Sequence, residues 1–171
     1  MALSTYTELK SAIANWLNRS DLTTEISDDF IKLVESEYNA KLRIKAMLNS
    51  KTDYSITAET VAVPTGFLQV RDFYISSGAE KYSLTYMAPT QMDQVKGGST
   101  SGRPTVYTIL GDNFRFAPSP DATYTATLNY YKAIDALSGS TATNYILTNH
   151  PGVYLYGSLY HAANFLGGIE P

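Results

Sequence analysis

The chain contains no cysteine, and that single absence excludes disulfides and thiolate metal sites. It has only two histidines, His150 and His161, and so lacks the material for a multi-histidine metal centre. Apolar runs of the roughly 18–20 residues that a membrane span needs do not occur. The start, Met1-Ala2-Leu3-Ser4, lacks the charged and apolar blocks of a secretory signal, so an intracellular origin without membrane attachment is expected. Basic excess is missing too. Thirteen Lys and Arg stand against sixteen Asp and Glu, a net charge of −3, where a dedicated nucleic-acid binder carries a surplus of cations.

What is present is tyrosine, fourteen of it in 171 residues. Charge is also unevenly spread. Residues 1–96 carry ten basic and twelve acidic groups, whereas residues 97–171 carry three and four. Depletion of charge with enrichment of Tyr marks the core of a protein–protein interface. It equally marks a β-rich half built from Thr and Tyr as strand formers. The sequence leaves both readings open.

Hydrophobic spacing divides the chain into helical, extended and again helical stretches. Thr5 and Glu8 form a capping-box pattern ahead of Leu9, Ile13, Trp16 and Leu17 on one helical face, and the cluster Asn18–Asp21 ends that helix. A second helix is predicted from Ser27, with Asp28 and Asp29 in its first turn and Ile26 and Ile31 placed as a staple. Its stripe of Phe30, Ile31, Val34, Tyr38 and Leu42 carries it to about Leu48. From Thr52 to Ile134 the period becomes two. Strands are predicted at 54–56, 61–63, 67–75, 82–86, 105–110 and 114–117, with a half-buried antiparallel strand over 123–130. Val63-Pro64-Thr65-Gly66 reads as a type I turn and Gly111-Asp112-Asn113 as a hairpin turn. Pro89–Lys96 reads as one or two helical turns before the flexible loop Gly97–Gly102. A single turn is predicted at Asn144–Leu147. A final helix then opens at Pro151, buries Val153, Tyr156, Leu159, Tyr160, Ala163 and Leu166, and stops at Gly167-Gly168.

The expected fold class is therefore α+β. Two N-terminal helices and a C-terminal helix form a small bundle (1–50 and 140–171). An antiparallel β lobe (51–139) is inserted between them, with a short helix near 89–96.

No catalytic set emerges. The glycine-rich loop lacks the Lys-Ser/Thr of a phosphate loop. The pairs Asp28/Asp29 and Glu35/Glu37 read as helix-end charge and solvated face, because paired carboxylates do acid–base work only when burial or repulsion splits their pKa values. The two histidines are too far apart on one helix to share a ligand, and no nucleophile elbow accompanies them. Lys41, Arg43, Lys45 and Lys51 form the one basic run. Complementing the end of their own helix accounts for them, and contact with DNA phosphates or an acidic partner is the functional alternative. Tyr107, Tyr124, Tyr130, Tyr131, Tyr154 and Tyr160 are the candidate interface residues. Tyr74, Tyr82 and Tyr86 join those of the lobe as a possible aromatic platform for sugars, so a carbohydrate-binding β module of a phage or bacterial surface protein is the competing function.

Three stretches, in order, carry a resemblance. They are Val63–Arg71; Gly102–Tyr107 running on to Phe116–Asp121; and Thr143–Leu147 leading to Pro151–Leu159. Together with Thr5-Tyr6-Thr7-Glu8-Leu9 they resemble the head-to-tail adaptors of tailed phages, above all the tail tubular protein A-like connectors of short-tailed phages. Relatives of that kind continue into further helical sequence beyond the Tyr-rich helix, whereas this sequence stops at Pro171. The resemblance implies a structural virion protein without enzymatic activity or cofactor, assembled in the host cytoplasm. Its partners would be copies of itself in a dodecameric ring, the portal protein and the tail nozzle protein. DNA would pass through the channel without specific binding, and no membrane would be involved.

Overall fold

A computed structural model describes residues 3–96 and 101–167, without the side chains of Val95 and Lys96. The expected loop glycines Gly97 and Gly98, with Ser99 and Thr100, and the expected stop at Gly168 lie outside the described residues. The chain is mixed α+β and separates into two compact units. Described residues up to Ala46 and from Ile134 onward form a helical unit, and Met47–Ala133 form a β unit.

In the helical unit, α1 (Tyr6–Leu17) opens on the capping box read from the sequence. Thr5 Oγ1 accepts the Glu8 N–H at 3.3 Å and Glu8 Oε2 accepts the Thr5 N–H at 3.0 Å. Two of the amides that a helix start leaves unpaired are thereby satisfied. Asn18 ends the helix in the left-handed region at φ 51°. The second helical stretch differs from expectation at both ends. It begins at α2 (Thr23–Glu25), and a π-helical turn (Ile26–Phe30) carries it into α3 (Ile31–Lys41). Ser27 is therefore inside the helix, where its hydroxyl donates to the carbonyls of Thr23 and Thr24 instead of capping. At the far end the chain leaves the helix at Leu42, with φ −87° and ψ 141°. The Arg43 guanidinium donates to the carbonyl oxygens of Asn39 and Leu42 there, at 2.9 and 2.6 Å. These bonds satisfy terminal carbonyls, so Ile44 and Leu48 do not prolong the apolar stripe. Leu48 instead begins a strand.

Asn144 caps α5 (Tyr145–Asn149) by accepting the Leu147 N–H at 3.0 Å. Helix α6 (Pro151–Phe165) starts with proline where a helix needs no amide donor. Leu9, Ala12 and Ile13 of α1 share one core with Ile31 and Val34 of α3 and with Tyr154, Leu155 and Ala162 of α6.

The β unit holds two four-stranded sheets. The first has the order β1 (Leu48–Ile56), β8 (Tyr124–Lys132), β3 (Phe67–Ser77), β4 (Glu80–Ser83). The second has β2 (Thr60–Ala62), β7 (Asn113–Ala117), β6 (Val106–Leu110), β5 (Thr85–Tyr86), with α4 (Pro89–Lys96) following β5 in the chain. Every pairing is antiparallel except β5 with β6, which is parallel. The expected antiparallel lobe needs that one amendment. It arises because the chain passes through α4 between the two strands, a crossover instead of a hairpin.

Leu110 pairs with Asn113 across the expected hairpin, and Gly111 takes φ +58° at its first turn position. The turn near Pro64 is shifted by one residue. The Phe67 N–H bonds to the Pro64 carbonyl at 3.1 Å, and Gly66 at φ +73° is its third residue. A positive φ there belongs to a type II turn, not type I. Ile56, Phe73, Phe114, Phe116 and Leu128 come from both sheets into one core, with the Phe73 and Phe114 rings 5.2 Å apart. Ala126, Leu128 and Tyr130 of β8 belong to it as their alternation implies, but Thr127 on the opposite face is also buried, at 6% exposure, so the strand is not half-buried there.

Candidate functional site

The most conspicuous feature of the helical unit is what it leaves uncovered. Helix α6 is apolar over consecutive positions, so several faces could have been buried. Tyr154, Leu155, Ser158 and Ala162 are the ones that are. The face expected to be buried is displaced from the core by about one residue. Val153, Tyr156, Tyr160 and Leu166 are 47%, 62%, 57% and 42% exposed, while Leu159 and Ala163 are half-buried. Trp16, expected on the buried side of α1, is 56% exposed. Its ring meets Tyr156 edge to face, centroids 5.8 Å apart and planes at 86°. Val153 and Tyr160 lie three residues before and four after Tyr156, hence beside it on the helix. Three rings and Val153 thus make one apolar face on α1 and α6.

Charge is scarce around it. From residue 136 to 169 the chain has no Asp, Glu, Lys or Arg. His161 points elsewhere: its side chain is only 14% exposed and its Nε2 lies 3.3 Å from Glu37 Oε1.

The six candidate tyrosines are not brought together. Tyr154 is fully buried, and its phenol serves the helical core. Tyr107 and Tyr130 are core residues of the β unit, edge-on to Phe73 and tilted on Phe67 respectively. These three are corrected from surface contacts to packing residues, because their rings fill the space where facing elements meet. Tyr124 and Tyr131 are half-buried, and the Tyr124 hydroxyl donates to Asp121 at 2.6 Å. Only Tyr160 of the six is fully open. Trp16 and Tyr156 were missed because spacing alone assigned them to the core.

The basic run is likewise divided. Lys41 ends α3 and pairs with Glu37 at 3.1 Å, and Arg43 is engaged at the helix end. Lys45 is exposed in a short 3-10 turn. Lys51 is exposed on β1, its ammonium 5.7 Å from the Tyr54 ring centroid. Helix-end charge accounts for Lys41 and Arg43, and not for the other two.

One carboxylate contradicts its sequence reading. Glu35, expected on the solvated face, is 5% exposed. Its Oε1 accepts the backbone N–H of Leu137 at 2.8 Å and the Tyr154 hydroxyl at 3.2 Å. Tyr154 in turn accepts from Asn144 Nδ2 at 2.7 Å. One turn along α3, Asn39 Oδ1 accepts the Ile134 N–H at 3.0 Å. Two side chains of α3 thus hold the segment that returns from the β unit. Burial pushes the Glu35 carboxyl above the ordinary carboxylate range, and its two hydrogen bonds offset part of that shift. Burial also raises Tyr38 and Tyr154 well above an ordinary phenol. A signal was available: Ile31, Glu35, Tyr38 and Leu42 recur at helical spacing on one face.

Glu35 lines neither of two recesses, one in each unit. A recess of about 560 Å³ in the helical unit is lined by Asp28, Asp29, Phe30, Lys32, Leu33, His161, Asn164 and Phe165, and Glu35 is not among them. Asp28 there pairs with Lys32 at 2.9 Å. In the β unit a recess of about 350 Å³ includes Asp72, Tyr74, Lys81 and Asn129. The Lys81 ammonium covers the Tyr74 ring at 4.9 Å, so that ring is no open platform. Among the described residues no group of His, Cys, Asp and Glu is placed to hold a metal ion. None of the described helices is long and apolar enough to cross a membrane.

Comparison with known proteins agrees with a role in assembly. The family model described as SU10 adaptor protein matches residues 4–170. A comparison with curated proteins gave no match. The chain belongs to the SU10 adaptor protein family, a family of phage structural adaptors and not of enzymes.

Proposed function

We propose that this adaptor acts as one copy in a ring between the portal of a phage head and the tail nozzle, with the genome passing through the centre. The observation that carries the reading is the aromatic face of α1 and α6. The largest contiguous apolar patch on a soluble protein is often functional, and this one is read as an interaction surface. The β unit, with its own two-sheet core, is read as a lobe inserted into a small helical bundle. Both are read as scaffolds for surfaces; the carboxylates that line a recess, Asp28 and Asp29, are exposed, and Asp28 is paired with Lys32.

The charge suits a conduit. A net −3 per copy, repeated around a ring, repels the phosphate backbone, the reverse of the cation-rich grip of a DNA binder. In this reading DNA is a passing cargo, the ring is built in the host cytoplasm, and the adaptor remains in the virion.

Native mass measurement of the full chain mixed with its portal protein tests the proposal. A particle carrying multiple adaptor copies on one portal ring is expected. An adaptor that stays monomeric beside assembled portal refutes it. The carbohydrate-binding alternative loses Tyr107 and Tyr130 from its platform to the core, while Tyr86 stays exposed, and a glycan array that stays silent would end it.

A further inference from the structure

We propose that the face formed by Trp16, Val153, Tyr156 and Tyr160 is covered by a second copy of this chain. The assignment rests on the ring reading above and adds which surface closes the contact between neighbouring copies.

Size is the first argument. An aromatic side chain offers roughly 150–250 Å². At the observed exposures of 56%, 62% and 57% for the three rings, together with Val153, the face leaves about 400 Å² open. A stable interface buries about 800 Å² per partner, so this patch forms about half of one side. Trp and Tyr are also the residues that concentrate binding energy at interface centres.

Charge is the second argument, and it selects the occupant. No Asp, Glu, Lys or Arg occurs from 136 to 169, so α6 presents no fixed charge on any side. Nucleic acid would require cations at the contact, which the helix does not supply. Interfaces between identical subunits are more apolar than transient protein–protein interfaces. A face whose α6 part is aromatic and carries no charge therefore fits a neighbour of the same kind. The edge-to-face contact of Trp16 with Tyr156 sets the rings in place before a partner arrives, which reduces the ordering cost of association.

The native chain has no cysteine, so Tyr160→Cys creates a unique thiol. Labelled with benzophenone maleimide, the full chain is mixed with portal protein and irradiated. The cross-linked peptides are identified, and the mass of the particle is read separately. Adaptor–adaptor links are expected. A second variant, Tyr156→Glu, changes an exposed side chain whose ring contact is with Trp16, so its melting temperature is expected to stay within about six degrees of wild type. Its yield of multi-copy particles is expected to fall about tenfold or more, as for loss of a central contact. A multi-copy particle whose links run only to portal, or a Tyr156→Glu chain that assembles like wild type, overturns the assignment and leaves the ring standing. A wild-type chain that forms no multi-copy particle overturns both.

Discussion

Replacing Glu35 separates two things that burial has joined, a hydrogen-bond acceptor and a charge. Glu35→Ala removes the acceptor for the Leu137 N–H at 2.8 Å and for the Tyr154 hydroxyl at 3.2 Å, both inside the helical unit. Each buried group left unpaired costs about 1–3 kcal/mol, and relief of the desolvated carboxylate offsets part of the total. A net loss of about 2–5 kcal/mol at neutral pH is expected. Glu35→Gln keeps an oxygen in the same place and discards the charge. It is expected to be neutral to about 1 kcal/mol more stable than wild type at neutral pH.

The pH dependence follows from the raised carboxyl. Below its ordinary value of 4.5, Glu35 is protonated in both folded and unfolded chains. Between that value and the higher folded one, the unfolded chain has lost the proton and the folded chain has kept it. Wild-type stability from this group therefore falls as pH rises through that interval, then stays level above it. Glu35→Gln lacks the effect, so its advantage grows across the interval and then levels off. The exposed carboxylates with lowered pKa values, such as Asp21 and Glu37, lose their contribution as pH falls, but they are common to both proteins and cancel in the difference. Urea unfolding of the full chain by circular dichroism between pH 4 and 8 reads wild type and both variants. If Glu35→Gln is as damaging as Glu35→Ala, or its difference from wild type is flat with pH, the account of a desolvated acceptor is wrong.

Further substitutions probe other parts of the structure. Gly157→Ala would place a Cβ 3.1 Å from Val34 Cγ2 and 3.2 Å from the Tyr38 hydroxyl. Crowding there costs about 1–3 kcal/mol against a helix-propensity gain of about 1, so a net lowering of the melting temperature is expected. Thr5→Ala removes half of the capping box and is expected to cost about 0.5–2 kcal/mol in urea unfolding, with amide exchange of Glu8 accelerated. Gly111→Ala puts a side chain at φ +58° and is expected to cost about 1 kcal/mol in the same assay, although nothing lies within 4 Å of the new atom. Arg115 bridges Glu59 at 2.9 Å and Asp93 at 2.8 Å. Arg115→Met is expected to lower stability modestly, and added salt is expected to shrink the difference.

Local structure was legible where one residue type suffices to specify it. The Thr5/Glu8 box, the hairpin after Leu110, the proline opening α6 and the inward face of β8 all follow from short-range chemistry. The stop at Lys41 was not legible, because the stripe ran on through Ile44 and Leu48. The Arg43 hydrogen bonds and the pairing of Leu48 with Tyr131 decided it. The type II turn escaped because Pro64-Thr65-Gly66 supports two registers and only the strands on either side choose between them.

The sequence by itself determined that the chain folds without metal-thiolate or disulfide staples, that it mixes helix with sheet, and that residues 136–169 carry no Asp, Glu, Lys or Arg. Those are properties of composition and of neighbours a few residues apart. Which aromatic rings face water was decided only in three dimensions. In α6, Val153 through Tyr156 are consecutive apolar residues, so their spacing prefers no single face; α1 and α3, packing against Tyr154 and Leu155, choose it. Glu35 shows the same dependence. Its burial is tolerable only because Leu137, 102 residues away in the chain, brings an amide to it, and no local pattern encodes a partner at that distance.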